Sequence, residues 1–159
     1  MRLLVSACLG GRVCRYDGQS RSVALIQELI DCGVALPIYP EVDGGLAIPR
    51  PASEIVGGTG ADVLQGRARV INKDGVDVSA EFRKGAEESL RIARETGAVA
   101  AILCERSPSC GVRMIYDGTF SRQLQPGMGV TSAILARDGI ELISSEDPDL
   151  RQRMKDYLD

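Results

Sequence analysis

Histidine is absent from the 159-residue chain. That absence excludes Ser-His and Cys-His nucleophile pairs and every zinc site built on an imidazole. Acid-base work and nucleophile activation then fall to Asp, Glu, Lys, Tyr, hydroxyls, thiolates or a cofactor. No apolar run approaches the roughly 18 residues that span a bilayer, so no membrane partner is expected. A basic footprint is missing too, since 19 Lys and Arg stand against 22 Asp and Glu for a net charge of -3. Without basic groups to neutralise phosphates, a duplex nucleic acid partner is not expected either. There is no Cys-x-x-Cys pair and no ferredoxin-type cysteine run. Gly57, Gly58 and Gly60 invite a phosphate-loop reading but lack both the Walker lysine and the dinucleotide spacing.

What is present is a globular composition, 44% hydrophobic and 26% charged, and a length suited to one domain over residues 1–159. Five cysteines form an odd set. Val5-Ser6-Ala7-Cys8 looks like a lipoprotein cleavage site, but its lead-in is far shorter than the roughly 7 to 15 apolar residues of a signal sequence. A reducing, cytoplasmic setting is therefore expected, with thiols or metal-bound sulfur in preference to disulfides.

The apolar run Arg2 to Ser6 reads as a buried strand running into a loop from Cys8 to about Ser20. Val23, Ile26, Leu29 and Ile30 repeat at helical spacing, predicting a helix from Ser22 to Cys32 that stops at Gly33. Val34 to Ile38 reads as a second strand. Prolines from Pro40 to Pro51 predict an irregular loop that Gly57, Gly58 and Gly60 extend, before a short strand at Arg69 to Ile71 and a turn at Lys73-Asp74-Gly75. Ser79 is the expected N-cap of a helix from Ala80 to Glu95 with Phe82, Ala86, Leu90 and Ala93 on one face. Ala98 to Leu103 is the next strand. Asp117-Gly118 predicts a tight hairpin between Arg113–Tyr116 and Thr119–Ser121. A helix at Gly129 to Arg137, a strand at Ile140 to Ile143 and a helix over 147–158 capped by Asp147-Pro148 complete the pattern. This alternation predicts a three-layer, Rossmann-like α/β fold: a mostly parallel sheet with helices on both faces and a small hairpin insertion.

Ligands of open parallel sheets bind beyond the carboxyl ends of the strands. Cys8 follows the first strand, Tyr39-Pro40-Glu41 the second, and Cys104 with Cys110 the strand ending at Leu103. Thiols, a carboxylate and hydroxyls thus gather on one edge. Thiolates from separate loops suit soft metals or an iron-sulfur cluster, but buried or merely free thiols fit the spacing as well.

Four segments, SACLGGRVCRYDG at 6–18, YPEVDGGLAIPRPASE at 39–54, SPSCG at 107–111 and IYDGTFSRQLQPGMGVTSAIL at 115–135, resemble in order those of the DUF523 family, whose characterised members are thiouracil desulfidases. The resemblance implies a [4Fe-4S] cluster held by three cysteines. One iron is left open to take the sulfur of a thiolated base or nucleoside, with replacement of sulfur by oxygen and no redox change. Carried onto this chain, two metal-ligating cysteines are Cys8 and Cys110. The family's Cys-Pro-Glu stands here as Tyr39-Pro40-Glu41, and a phenolate oxygen is a poor substitute for thiolate. Cys14 or Cys104 would complete the trio. Otherwise the cluster keeps two firm thiolates, or the cofactor is lost and the cleft binds another small ligand. A thiol redox or metal-storage role for Cys104 and Cys110 is a further alternative.

Glu41 is the candidate general acid-base group, with a loop carboxylate accepting backbone hydrogen bonds as the plainer reading. Ser107 and Ser109 would orient substrate or water, or else bond within their own loop. Asp17 would contact substrate, brace Arg50 or simply form a turn. Arg50 is expected to tie loops through a forked carboxylate pair, Cys32 to be a small buried residue, and Gly44 and Gly45 to let backbone approach the cofactor or substrate.

Overall fold

The apolar runs become the strands of one parallel sheet in a computed structural model of the chain, which describes residues 3–7 and 20–158. In chain order the elements are β1 (Leu3–Ser6), α1 (Ser20–Asp31), β2 (Ala35–Ile38), α2 (Pro40–Asp43), β3 (Ser53–Val56), α3 (Gly60–Leu64) and β4 (Arg69–Asn72). There follow α4 (Ser79–Thr96), β5 (Ala100–Leu103), β6 (Met114–Tyr116), β7 (Leu124–Pro126), α5 (Val130–Arg137), β8 (Glu141–Ser144) and α6 (Leu150–Leu158). The main sheet has the order β2-β1-β5-β8, every pair parallel. From β1 the chain steps to one side to form β2, then crosses to the other side for β5 and β8. The direction of winding therefore reverses between β1 and β5, the position where ligands of such sheets bind.

Side chains alternate across a strand, and this divides the core into two layers. Leu4, Ala101 and Leu103 face a cluster with Phe82, Ala86 and Ala93 of α4 and Val130, Ile134 and Leu135 of α5. Leu3, Val5, Ala100 and Ile102 face Leu25, Ile26 and Leu29 of α1 and Leu150 and Met154 of α6. Each buried Leu or Ile contributes about 1.5–3 kcal/mol by leaving water. The expected three-layer α/β arrangement is thus observed. No helix among the described residues is long and apolar enough to cross a membrane.

The stretch from Pro40 to Gly60 is more ordered than its prolines and glycines suggest. Pro40 occupies the first turn of α2, where its missing N–H is not needed. Thr59 and Asp62 form a capping box that starts α3, and β3 pairs antiparallel with β4. Ser79 is not the cap of α4 but its first residue. Asp77 Oδ1 accepts the Ser79 N–H at 2.9 Å, while the Ser79 hydroxyl accepts the Val70 N–H at 2.8 Å and pins β4 to the helix. Gly97, at φ 67, ends α4 as expected. Asp147 caps a turn by accepting the Asp149 N–H, and α6 starts only at Leu150.

The hairpin is longer than Asp117-Gly118 predicts, because β6 pairs with β7 rather than with Thr119–Ser121. Asp117 Oδ1 bonds the Thr119 N–H, and the buried Glu54 carboxylate accepts the N–H groups of Gly118 and Phe120. Those bonds hold residues 117–123 as a loop, closed by the Asp117 N–H on Gln123 O at 2.9 Å.

Helix α2 lies against α4 at a backbone-to-backbone approach. A Cβ on Gly44 would lie 2.0 Å from the Glu81 carbonyl oxygen, and one on Gly85 would lie 1.9 Å from that of Pro40. The expectation that Gly44 serves a cofactor or substrate is thereby corrected, since its neighbour is a helix. Gly45 is used for its positive φ of 101 and faces open space. Gly85→Ala should force α2 outward and cost about 1–3 kcal/mol. Urea unfolding measures this, and an unchanged midpoint would refute so close a contact.

Candidate functional site

Ser6 closes β1 at the reversal point, 2% exposed. Its hydroxyl accepts the backbone N–H of Cys104, the residue after β5, at 3.2 Å. The chain then makes a loop from Glu105 to Arg113 that doubles back on itself. Glu105 is the clasp: its Oε1 accepts the N–H groups of Val112 and Arg113, both at 3.0 Å. Burial pushes the Glu105 carboxyl up, but the N–H groups of Arg113, Val112 and Met114 and the Ser144 hydroxyl outweigh it and hold the carboxyl below its ordinary value. Arg106, at φ 66, forks onto Glu146 with contacts of 3.1 and 2.5 Å and secures the outside of the loop.

Within the loop the Ser107 hydroxyl accepts the N–H groups of Ser109 and Cys110, each at 3.1 Å. The local-turn reading of Ser107 is the observed one. The next contact is with α5, whose first N–H groups have no partners inside the helix. Val130 and Thr131 donate to the carbonyls of Pro108 and Ser109 at 2.8 Å each, and Gly129 donates to Gly111 at 2.9 Å. A side chain at residue 129 would prevent this, since its Cβ would lie 2.4 Å from the Ser109 carbonyl carbon. Ser109 and Thr131 hydroxyls meet at 3.0 Å, and Ser132 donates to the Cys110 carbonyl at 2.9 Å.

All of this places Cys110 with 4% exposure. Its thiol is pushed up to about 12, first by burial and then by the negative charge of Glu41. The hydroxyls of Ser6 and Ser109, which hydrogen-bond the sulfur, oppose the rise, and charge on Cys104 adds to it. Glu41, one residue into α2, is held by Arg50 through a single Nη2–Oε2 contact of 3.3 Å while Nη1 reaches the Ala47 carbonyl at 3.4 Å. Arg50 therefore ties its loop to Glu41 by one nitrogen, not by the expected fork. Tyr39 is 51% exposed and not turned into the core.

The structure thus gathers Glu41, Cys104, Ser109 and Cys110 on one edge, with Ser107 shaping the loop that carries them. Cys8, Cys14 and Asp17 lie outside the described residues. Cys32, expected to be buried, is exposed, because the chain has already left α1 at Asp31 and turns at Gly33. Ser6, Glu105, Thr131 and Ser132 were not foreseen. Ser6 is signalled only as the hydroxyl ending an apolar run, and Thr131 and Ser132 as polar residues in an otherwise apolar helix. Among the described residues no group of three cysteines or carboxylates converges as a metal site. Cys104 and Cys110 do supply two sulfurs, and the Ser109 hydroxyl, which accepts from the Cys110 thiol, can instead donate to a thiolate. The donor set therefore fits a soft-metal or iron-sulfur centre.

The family model described as 2-thiouracil desulfurase matches residues 3–147. The uncharacterized protein YbbK of Bacillus subtilis (strain 168) is 45% identical over 145 residues, spanning 91% of this chain and 96% of its own. Among solved structures, the [4Fe-4S]-dependent thiouracil desulfidase TudS aligns with a TM-score of 0.77 and 40% identity, over 96% of this chain and 97% of that one.

Two outcomes test this geometry. Because Cys110 is buried and its thiol is held protonated by that burial, iodoacetamide should label exposed Cys32 in metal-free protein and spare Cys110 until the chain is unfolded. Equal labelling by mass spectrometry would contradict the burial. Because the folded Glu105 value lies below the ordinary 4.5, its contribution to stability is full above pH 4.5 and is lost as pH falls through the folded value. Glu105→Gln should cost about 1–3 kcal/mol near neutrality and flatten the acid limb of stability against pH in denaturant melts.

Proposed function

This chain belongs to the 2-thiouracil desulfurase family, and from that membership we propose that it is a non-redox desulfidase acting on a thiolated pyrimidine or similar small heterocycle. The reaction adds water across the thiocarbonyl, leaving a carbonyl and releasing hydrogen sulfide, with no change of oxidation state. The whole chain acts as one domain in this reading. The observation that carries it is the buried Cys110 thiol at the reversal point, ringed by hydroxyls and facing the charge of Glu41.

A [4Fe-4S] cluster held by Cys8 and Cys110, with a further sulfur from Cys14 or Cys104, would supply a Lewis acid for the departing sulfur. Glu41 takes a proton from the attacking water or returns one to a ring nitrogen. Its single bond to Arg50 holds one carboxylate oxygen and leaves the other for this proton transfer. The Ser109 hydroxyl, already turned to the sulfur of Cys110, orients water or substrate on the same side. Ser107 acts through the loop backbone, and a substrate-binding role remains the proposal for Asp17.

Anaerobically reconstituted protein should convert 2-thiouracil to uracil with one sulfide released per turnover. Glu41→Gln should lower kcat by about 10²-fold with little change in iron content. Iron-loaded protein that leaves 2-thiouracil and other thiolated bases intact would refute the assignment.

A further inference from the structure

We infer that Cys104 is the third cofactor-binding sulfur of this chain, paired with Cys110 around the Ser6 hydroxyl. The inference rests on the desulfidase reading and selects between the residues that reading leaves open.

Three observations carry it. The first is position along the sheet. Ser6 of β1 pairs with Ile38 of β2, so Tyr39 stands one row beyond Ser6. Val5 pairs with Ile102, the last pair between β1 and β5, and Cys104 directly follows β5. Tyr39 and Cys104 are therefore the first residues beyond the two strands that flank β1, at their carboxyl ends. The second is the shared hydroxyl: Ser6 Oγ accepts the Cys104 N–H at 3.2 Å and also bonds the thiol of Cys110. The third is the character of the two flanking side chains. Cys104 is half-buried at this edge, and its sulfur is a soft donor. Tyr39 is half-exposed and offers only a hard phenol oxygen. The resemblance sets a cysteine at position 39. A sulfur missing from one flank of β1 is thus matched by a sulfur on the other.

The test is anaerobic reconstitution of the full chain with iron and sulfide, read by iron and sulfide content and by the charge-transfer band near about 400 nm, independently of turnover. Wild type should take up about four irons per chain. Cys104→Ser should lower iron by more than twofold with unchanged far-UV circular dichroism, while Cys14→Ser and Cys32→Ser load as wild type does. Tyr39→Cys added to Cys104→Ser should restore loading, since it returns a sulfur to the carboxyl end of a strand flanking β1. In wild type, loading should also protect Cys104 from alkylation, which decides the matter if Cys104→Ser folds poorly. Wild-type iron in Cys104→Ser, or equal alkylation of Cys104 with and without iron, would overturn the inference. Loss of iron in Cys14→Ser with retention in Cys104→Ser would do so while leaving the desulfidase reading intact. A wild-type chain that takes up no iron would overturn both.

Discussion

The first turn of α5 donates its backbone N–H groups to the carbonyls of Pro108 and Ser109, and the remainder of the site is arranged around that contact. A helix start leaves donors unmatched, and a loop that reverses direction leaves acceptors unmatched. Joining the two satisfies both inside the protein. The join demands close approach, which explains why Gly129 carries no side chain and why the Ser109 hydroxyl meets that of Thr131, and Ser132 donates to the Cys110 carbonyl, where water cannot reach them. Cys110 is buried as a result of the backbone arrangement, before any property of its sulfur enters. The positive end of the helix is spent on the protein's own carbonyls and is not presented to a ligand.

Two buried carboxylates play parallel parts. Glu105 gathers the N–H groups at the exit of the cysteine loop, and Glu54 gathers those of the loop after β6. Each supplies to an irregular segment the acceptors that a neighbouring strand would supply in a sheet. Irregular backbone can be buried on these terms because its donors are met. Helix α2 solves a related problem differently: one turn long and without a side-chain cap, it is placed by the Gly44 and Gly85 contacts with α4, and Glu41 is carried with it.

The main sheet was legible because its strands are short apolar runs separated by helical periodicity, and a parallel sheet covered on both faces follows from that alternation. Convergence of Glu41, Cys104 and Cys110 on one edge followed from the same reasoning. Elements made by long-range bonds were not legible. β3 depends on pairing with β4, and the hairpin loop depends on Glu54, more than sixty residues away in sequence, whereas the Thr59–Asp62 box that starts α3 is local and was obscured only by the glycines around it. Cys32 misled because a residue at a helix end faces outward or inward by the angle at which the helix stops, which composition does not reveal. Ser6 and Glu105 could be valued only once their partners were in view.

The strand order has one more consequence. With β2 and β5 both parallel to β1, the two flanks of β1 open on the same carboxyl edge. A functional group can move from one flank to the other without disturbing a single backbone hydrogen bond between strands, because each flank keeps its own register. Such a site constrains how far along the strands a residue stands more tightly than which strand bears it. A sheet of this order therefore fixes the edge at which a functional group stands while leaving two strands able to bear it.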